Sequence, residues 1–420
     1  VAFFNPSRPS YVADPYPALH RLREEAPVFY SAEHDAWIVT SYEACVQVLQ
    51  DYEVYSSAVT EAPGRLGDRV RRVKHASVLG TAPRIGQQDP PAHSRLRGVV
   101  ARAFTPRHVE AMRPAIEAHV ASLIDVIAGL EGGRPVEAMR ALCEPLPAAV
   151  VSAQLGAPEE DRARVLGWAR ALMQVEGADL SPERRALAVE ARDGLLGYLG
   201  RVAAGETGDP DSLIASLARA GAGEERLDLG ELLALVIDLS LAGNDNTSNL
   251  VGNGILALAA HPEQQALLRE RPDLLPAAVD EVLRYDAPQQ AAVRFVAAGA
   301  GEVTLGGERL EPGDVVIVML GAANRDSAAF PDPDRFDITR EGPRHLAFGL
   351  GPHFCIGAPL ARMVGAAAFE ALLARFEVVR LAGDIPVRHA PDWMARSARV
   401  IPLDTAPLLD RWGAPGTLEA

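Results

Sequence analysis

One cysteine in this chain stands where a thiolate could be offered to a metal. Cys355 lies in the run FGLGPHFCIG, from Phe348 to Gly357, just before a stretch that reads as helix from Gly357 to Phe376. Backbone N–H groups at a helix N-terminus favour a thiolate. Gly349, Gly351 and Gly357 allow a tight turn and close approach of the backbone to something flat or bulky. Phe348 can pack behind the sulfur. Cys45 and Cys143 read as small buried hydrophobes. A zinc site is disfavoured, because there is no second cysteine nearby and no HExxH or CxxC.

A second unusual stretch is AGNDNTSN, residues 242 to 249. Six consecutive polar residues, Asn244 to Asn249, interrupt an apolar segment from Leu232 to Ala260 that reads as a buried helix. Such residues are poor in helix interiors and costly to bury without partners.

The elements that must position these residues fall into two kinds. Tyr16–Arg23 and Tyr42–Leu49 read as helices, with a hairpin of Val28–Tyr30 and Trp37–Thr40 between them. Ala58 to Gln88 has no sustained period and reads as a long loop. From Asp89 to about Gly221 the pattern is helical, with N-caps at Thr105-Pro106 and Ser181-Pro182. Asp228 and Glu231 have capping-box spacing and open the long apolar helix. Val293–Val296, Val303–Leu305, Glu308–Leu310 and Val315–Met319 read as strands. The expected class is mainly α with a smaller β portion (α+β), as one domain over 1–420. The β-rich parts are about 25–60, 290–320 and 376–405, and the helical body about 89–286 and 357–376.

The chain has 420 residues, a formal net charge of −15 and three cysteines. The acidic balance argues against nucleic-acid binding. Three distant cysteines argue against a disulfide framework and for a reducing cytoplasm. No run of 18 apolar residues suggests a membrane span. The start, VAFFNPSRPSYVADPYPALH, lacks the basic-then-apolar form of a signal peptide.

The run FGLGPHFCIG matches every fixed position of F-G-x-G-x-H-x-C-x-G, and the chain on that basis resembles the cytochrome P-450 family. The resemblance covers essentially the whole chain. It implies that Cys355 is the proximal thiolate ligand of haem b (iron protoporphyrin IX), with Phe348, Gly349 and Gly357 shaping its loop. A thiolate ligand favours O–O cleavage. Glu281 and Arg284 in EVLR, with Arg335 in PDPDRFD, resemble the family's structural Glu–Arg–Arg cluster. His93 and Arg97, four apart in DPPAHSRLR, match contacts to the haem propionates, as do Arg294 and His353. In the central helix Ala242 and Gly243 leave room for oxygen and Asp245 matches the acid. The next position normally holds threonine; here it is Asn246, followed by Thr247. The resemblance implies a groove for oxygen activation where the helix is locally opened.

Three accounts of Asn246 stand. It organises waters that relay protons, the substrate completes the relay, or the ordinary oxygen cycle is not used. Asp238 lies one turn before Ala242 and suggests a polar substrate group, unless an arginine from overlying helices takes it. The pocket would draw on 58–88, 168–180, Leu241, Ala242, Gln290, Ala292, Val293 and Met394. The expected activity is hydroxylation, demethylation or epoxidation of a small to medium organic substrate, with O2 as co-substrate. A separate ferredoxin and ferredoxin reductase, with NAD(P)H as ultimate donor, would supply electrons, docking near Arg102, Arg344 and Arg362. A monomer is expected. One alternative is a peroxide-driven peroxygenase or an O2-independent isomerase, although the Arg-Pro pair of specialised peroxygenases is absent from the central helix. Another is a non-catalytic haem or hydrophobic-ligand binder, which would have no need of Asp245.

Overall fold

The computed structural model describes residues 4–79, 84–129, 135–155, 157–173, 181–210, 212–219, 227–383 and 385–404. Its axis is the 32-residue central helix Leu229–Ala260. Asp228 caps this helix and Glu231 completes a reciprocal capping box, satisfying two otherwise orphaned N–H groups. A cap of this kind stabilises a helix by about 1 kcal/mol. The expected caps at Thr105 and Ser181 are also present.

The helix Ala358–Arg375, which begins just after Cys355, packs on the central helix. The approach is close: a Cβ on Gly254 would overlap the Phe369 ring. Helix Leu275–Tyr285 packs on both. One apolar core joins these three helices to Arg113–Ala128 and Pro182–Ala204.

The β portion is a five-stranded sheet in the order Val28–Ser31, Ala36–Val39, Val315–Met319, Ala291–Val296, Tyr55–Ser56. Ala36–Val39 runs parallel to Val315–Met319, and the other neighbours are antiparallel. Val303–Leu305 and Glu308–Leu310 form a separate hairpin. The α+β class expected from sequence is the one found.

Two expectations are corrected. Residues 58–88 are not only loop, because Gly64–Ala76 is helical. The central helix is not opened at 242–249 but runs through as α-helix. Ser240, Asn246 and Ser248 bond to the helix's own backbone instead. Ser248 Oγ donates to the Asn244 carbonyl at 2.9 Å, and Ser240 Oγ to that of Val236 at 2.7 Å. Asn246 Nδ2 reaches the Ala242 carbonyl at 3.5 Å. Back-bonding to the carbonyl one turn earlier gives a hydroxyl its partner without breaking the helical ladder.

Candidate functional site

Cys355 lies on the wall of a cavity of about 300 Å³. The loop that carries it is held by its own backbone. The Cys355 N–H donates to the Phe348 carbonyl at 2.8 Å, closing the turn. Gly349 and Gly351 adopt φ of +68° and +70°, which L side chains resist. Gly351 also faces the Leu49 carbonyl so closely that a Cβ there would collide. Phe348, Gly349, His353 and Gly357 line the cavity with Cys355.

Burial pushes the Cys355 thiol up. The Gly357 and Ala358 backbone N–H groups and the Arg97 and Arg362 guanidinium groups oppose that shift by favouring the thiolate. A metal bound to the sulfur would complete the ionisation. Cys45 and Cys143 are fully buried with their thiols pushed far up, as befits packing residues.

The central helix supplies Leu239, Ala242, Gly243, Asn246, Thr247 and Leu250 to the same cavity. Thr247 is buried, whereas Asp245 is exposed and outside the cavity lining. The Asp245 carboxylate accepts from Asn244 Nδ2 at 3.3 Å.

At the cavity edge four basic side chains from three segments converge. His93 and Arg97 come from helix Ala92–Ala101, Arg294 from the sheet, and His353 from the cysteine loop. The His93 and His353 rings lie 4.2 Å apart by centroid. Burial, and then the nearby His353 and Arg97, push His93 down to about 4. Asp89 approaches His353 Nε2 at 3.7 Å, too far for a hydrogen bond, and that nitrogen is buried without a hydrogen-bond partner. Among the described residues Arg97 has no ion-pair partner either. An apolar cavity with a thiol on its wall and an unsatisfied basic edge fits haem, whose face is apolar and whose rim carries two carboxylates. Among the described residues no group of three His, Cys, Asp or Glu could hold a metal by itself.

Several expected contacts fall elsewhere. Asp238 is not on the cavity wall. Its carboxylate is taken by the Arg84 guanidinium and by the Ile85 N–H, the latter at 3.3 Å. Ala292 and Arg294 line the cavity, but Val293 points to the opposite face of its strand and packs with Phe29 and Ile38. Gln290 is buried away from the cavity, donating to the Ala287 carbonyl at 2.8 Å and to the Tyr16 hydroxyl at 3.3 Å. The Met394 side chain belongs to the Phe29 and Ile38 cluster, and its carbonyl accepts the Gln290 N–H at 2.8 Å. Gln289 lines the cavity in their place. The Leu241 side chain and residues 174–180 lie outside the described residues. None of the described side chains of 58–79, 84–88 or 168–173 lines the cavity.

The Glu–Arg–Arg assignment also changes. Glu281 and Arg284 form a two-bond ion pair, 2.7 and 2.8 Å, and both are buried. The third arginine is Arg340, 3.3 Å from Glu281 and largely buried. Arg335 points outward, with 66% of its side chain exposed, beside Asp337 at 3.6 Å. What Arg335 contributes inward is its carbonyl, which accepts from Arg284 and Arg340. Nothing in the local sequence distinguishes the two arginines.

The cytochrome P450 family model matches residues 205–395. The chain is 38% identical over 377 residues to the cytochrome P450 monooxygenase PikC of Streptomyces venezuelae, covering 87% of this chain and 84% of that protein. It is 37% identical to 6-deoxyerythronolide B hydroxylase of Saccharopolyspora erythraea, covering 89% of this chain and 92% of the other. The solved structure of cytochrome P450 CYP109Q5 from Chondromyces apiculatus superposes with a TM-score of 0.81 at 33% identity, covering 96% of this chain and 98% of that one.

Proposed function

The chain belongs to the cytochrome P450 family and is a haem-thiolate monooxygenase; from that premise we propose how its residues divide the work. The observation that carries the reading is the Cys355 sulfur on the wall of the same apolar cavity that Ala242, Gly243, Asn246 and Thr247 line. When bound, the haem supplies the oxygen-activating chemistry, with the Cys355 thiolate pushing electron density onto its iron. We assign it as haem b, with Phe348, Gly349 and Gly357 closing the loop beneath it. His93, Arg97, Arg294 and His353 bind its two propionates. Two electrons and two protons are consumed with each O2; one oxygen atom enters the substrate and the other leaves as water.

Ala242 and Gly243 leave space beside the cofactor because they carry almost no side chain. Thr247 offers a hydroxyl that can accept and pass a proton. Asn246 holds water through its amide without titrating. Asp245, exposed, connects this pair to solvent. The substrate is a small to medium, chiefly apolar molecule, since the cavity it would share with the haem is walled by apolar side chains such as Leu239, Val150, Val151 and Ala292. That matches in kind the relatives named for hydroxylating 6-deoxyerythronolide B or vitamin D(3). Glu281, Arg284 and Arg340 hold the fold behind the cysteine loop.

A ferredoxin, reduced through a ferredoxin reductase from NAD(P)H, delivers the electrons in the cytoplasm. Its docking face includes Arg344, exposed and stacked on Phe354, and the region of Arg102 and Arg362. No described helix is long and apolar enough to cross a membrane. We treat the chain as one catalytic domain that works as a monomer.

The reading is tested by purifying the haem-loaded protein and following its optical spectrum during addition of macrolides, steroids, fatty acids, aromatic acids and amines. A low- to high-spin shift with a bulky apolar compound, followed by its oxygenation with ferredoxin and reductase, is the expected result. A protein that takes up no haem, or turns over only with peroxide, overturns it.

A further inference from the structure

We propose that Asp280 and Arg362 set the electron-donating strength of the Cys355 sulfur, acting through Phe348. The inference rests on the reading that Cys355 binds the haem iron.

Asp280 projects from helix Leu275–Tyr285, one residue before the buried Glu281, and Arg362 from the first turns of Ala358–Arg375. Arg362 Nε donates to Asp280 Oδ1 at 2.7 Å. His345 Nε2 meets the same oxygen at 3.3 Å. His345 Nδ1 accepts the Ala347 N–H at 3.2 Å, so the ring proton sits on Nε2 and points to Asp280. Two donors from different segments therefore fix this carboxylate.

The Arg362 guanidinium carbon stands 4.7 Å from the centre of the Phe348 ring. A cation over an aromatic face is held by the ring quadrupole. Phe348 in turn lines the cavity beside Cys355, and its carbonyl accepts the Cys355 N–H at 2.8 Å. The pair thus places a fixed positive charge on the ring that shields the sulfur, and a fixed negative charge just behind it.

Neither residue lines the cavity, so both are positioning residues. A cation near a thiolate withdraws density from it and favours the more negative, reduced metal centre. Asp280 offsets that cation. Removing only the negative charge should therefore raise the reduction potential, and removing only the positive charge should lower it. A purely structural role predicts no such opposition of sign. The side chains are partly exposed, 44% for Asp280 and 29% for Arg362, so salt should narrow the difference.

The experiment is an equilibrium redox titration of the haem-loaded wild type, Asp280→Asn and Arg362→Gln at low and high salt. The reduced CO spectrum of each is taken as a control for thiolate ligation. Asparagine keeps an acceptor for Arg362, so the geometry persists while the charge goes. Expected are shifts of opposite sign, smaller at high salt, with the thiolate CO band intact. Shifts of the same sign, or none, with that band intact overturn the inference alone. A wild type without the band overturns the haem-thiolate reading and the inference with it.

Discussion

Arg340 Nε stands 3.3 Å from Glu281 Oε1, over the buried Glu281–Arg284 ion pair. Three carbonyls, those of Pro331, Asp332 and Arg335, receive three of its four other N–H groups. One carboxylate therefore faces two guanidiniums, and its Oε1 also accepts the Asp337 N–H at 2.9 Å. Removing one partner of a buried charge network leaves the others uncompensated, at a cost of about 3–5 kcal/mol. Arg340→Ala should destabilise by an amount near that range, and the exposed Arg335→Ala by under about 1 kcal/mol. Denaturant melts of the two variants decide it, and equal losses would return Arg335 to the cluster.

Arg84 and Asp238 form another largely buried pair, joining the segment before helix Ala92–Ala101 to the central helix. Burial pushes the Asp238 carboxyl up, and Arg84 opposes that shift only in part. Arg84→Ala should cost about 3 kcal/mol, because it strands a buried charge. Adding Asp238→Leu should recover most of that loss. Substrate affinity of the double variant, read from spin-state titration, should stay close to wild type. A large loss of affinity would restore Asp238 to the substrate site.

These two pairs mark where sequence reasoning stopped. Local signals were legible: the capping box at Asp228 and Glu231, the cysteine loop and its glycines, and the helix that follows. The basic edge was legible too, because His93 and Arg97 lie four apart on one helix and the structure brings Arg294 and His353 to them. Pairings across long stretches of chain were not. Asp238 and its partner are separated by 154 positions, and no local rule selects Arg84. Arg335 and Arg340 lie five apart in an irregular segment, and only packing determines which turns inward. Strand facing was half legible: pairing of Ala292 with Val318 fixes which parity faces the cavity, so Val293 turns away. The uninterrupted central helix was missed because Asn246 and Ser248 bond to the helix's own carbonyls, a solution that leaves no signature in residue type.

Asn246 stands on the cavity wall where a hydroxyl would be able to pass a proton. Asn246→Ala removes the group that holds water there, and product formed per reducing equivalent should fall several-fold. Asn246→Thr supplies a hydroxyl and should keep or raise that yield. Product and NAD(P)H consumption, measured together in the reconstituted system, provide the ratio. An unchanged ratio in both variants removes Asn246 from proton delivery.

His389 gives the fold a pH dependence outside the haem site. Burial, then the neighbouring Arg396, push it down to about 4, while Asp286 and Asp14 pull the other way. The unfolded imidazole binds a proton below about 6.5, so between about 6.5 and 4 the unfolded state holds more protons. Stability contributed by the neutral ring is present above about 6.5 and falls as pH drops through that window. His389→Gln should flatten the slope. Urea midpoints at pH 7 and pH 4.5 for both proteins measure it, and parallel slopes would rule it out.

The central claim is that Cys355 binds the iron as thiolate. The most direct measurement is the optical spectrum of the reduced, CO-bound protein, wild type beside Cys355→His. The wild type should show the strongly red-shifted Soret band of a thiolate-ligated haem with CO, replaced by an imidazole-type band in the variant. An imidazole-type band in the wild type, or identical spectra for the two proteins, would contradict it.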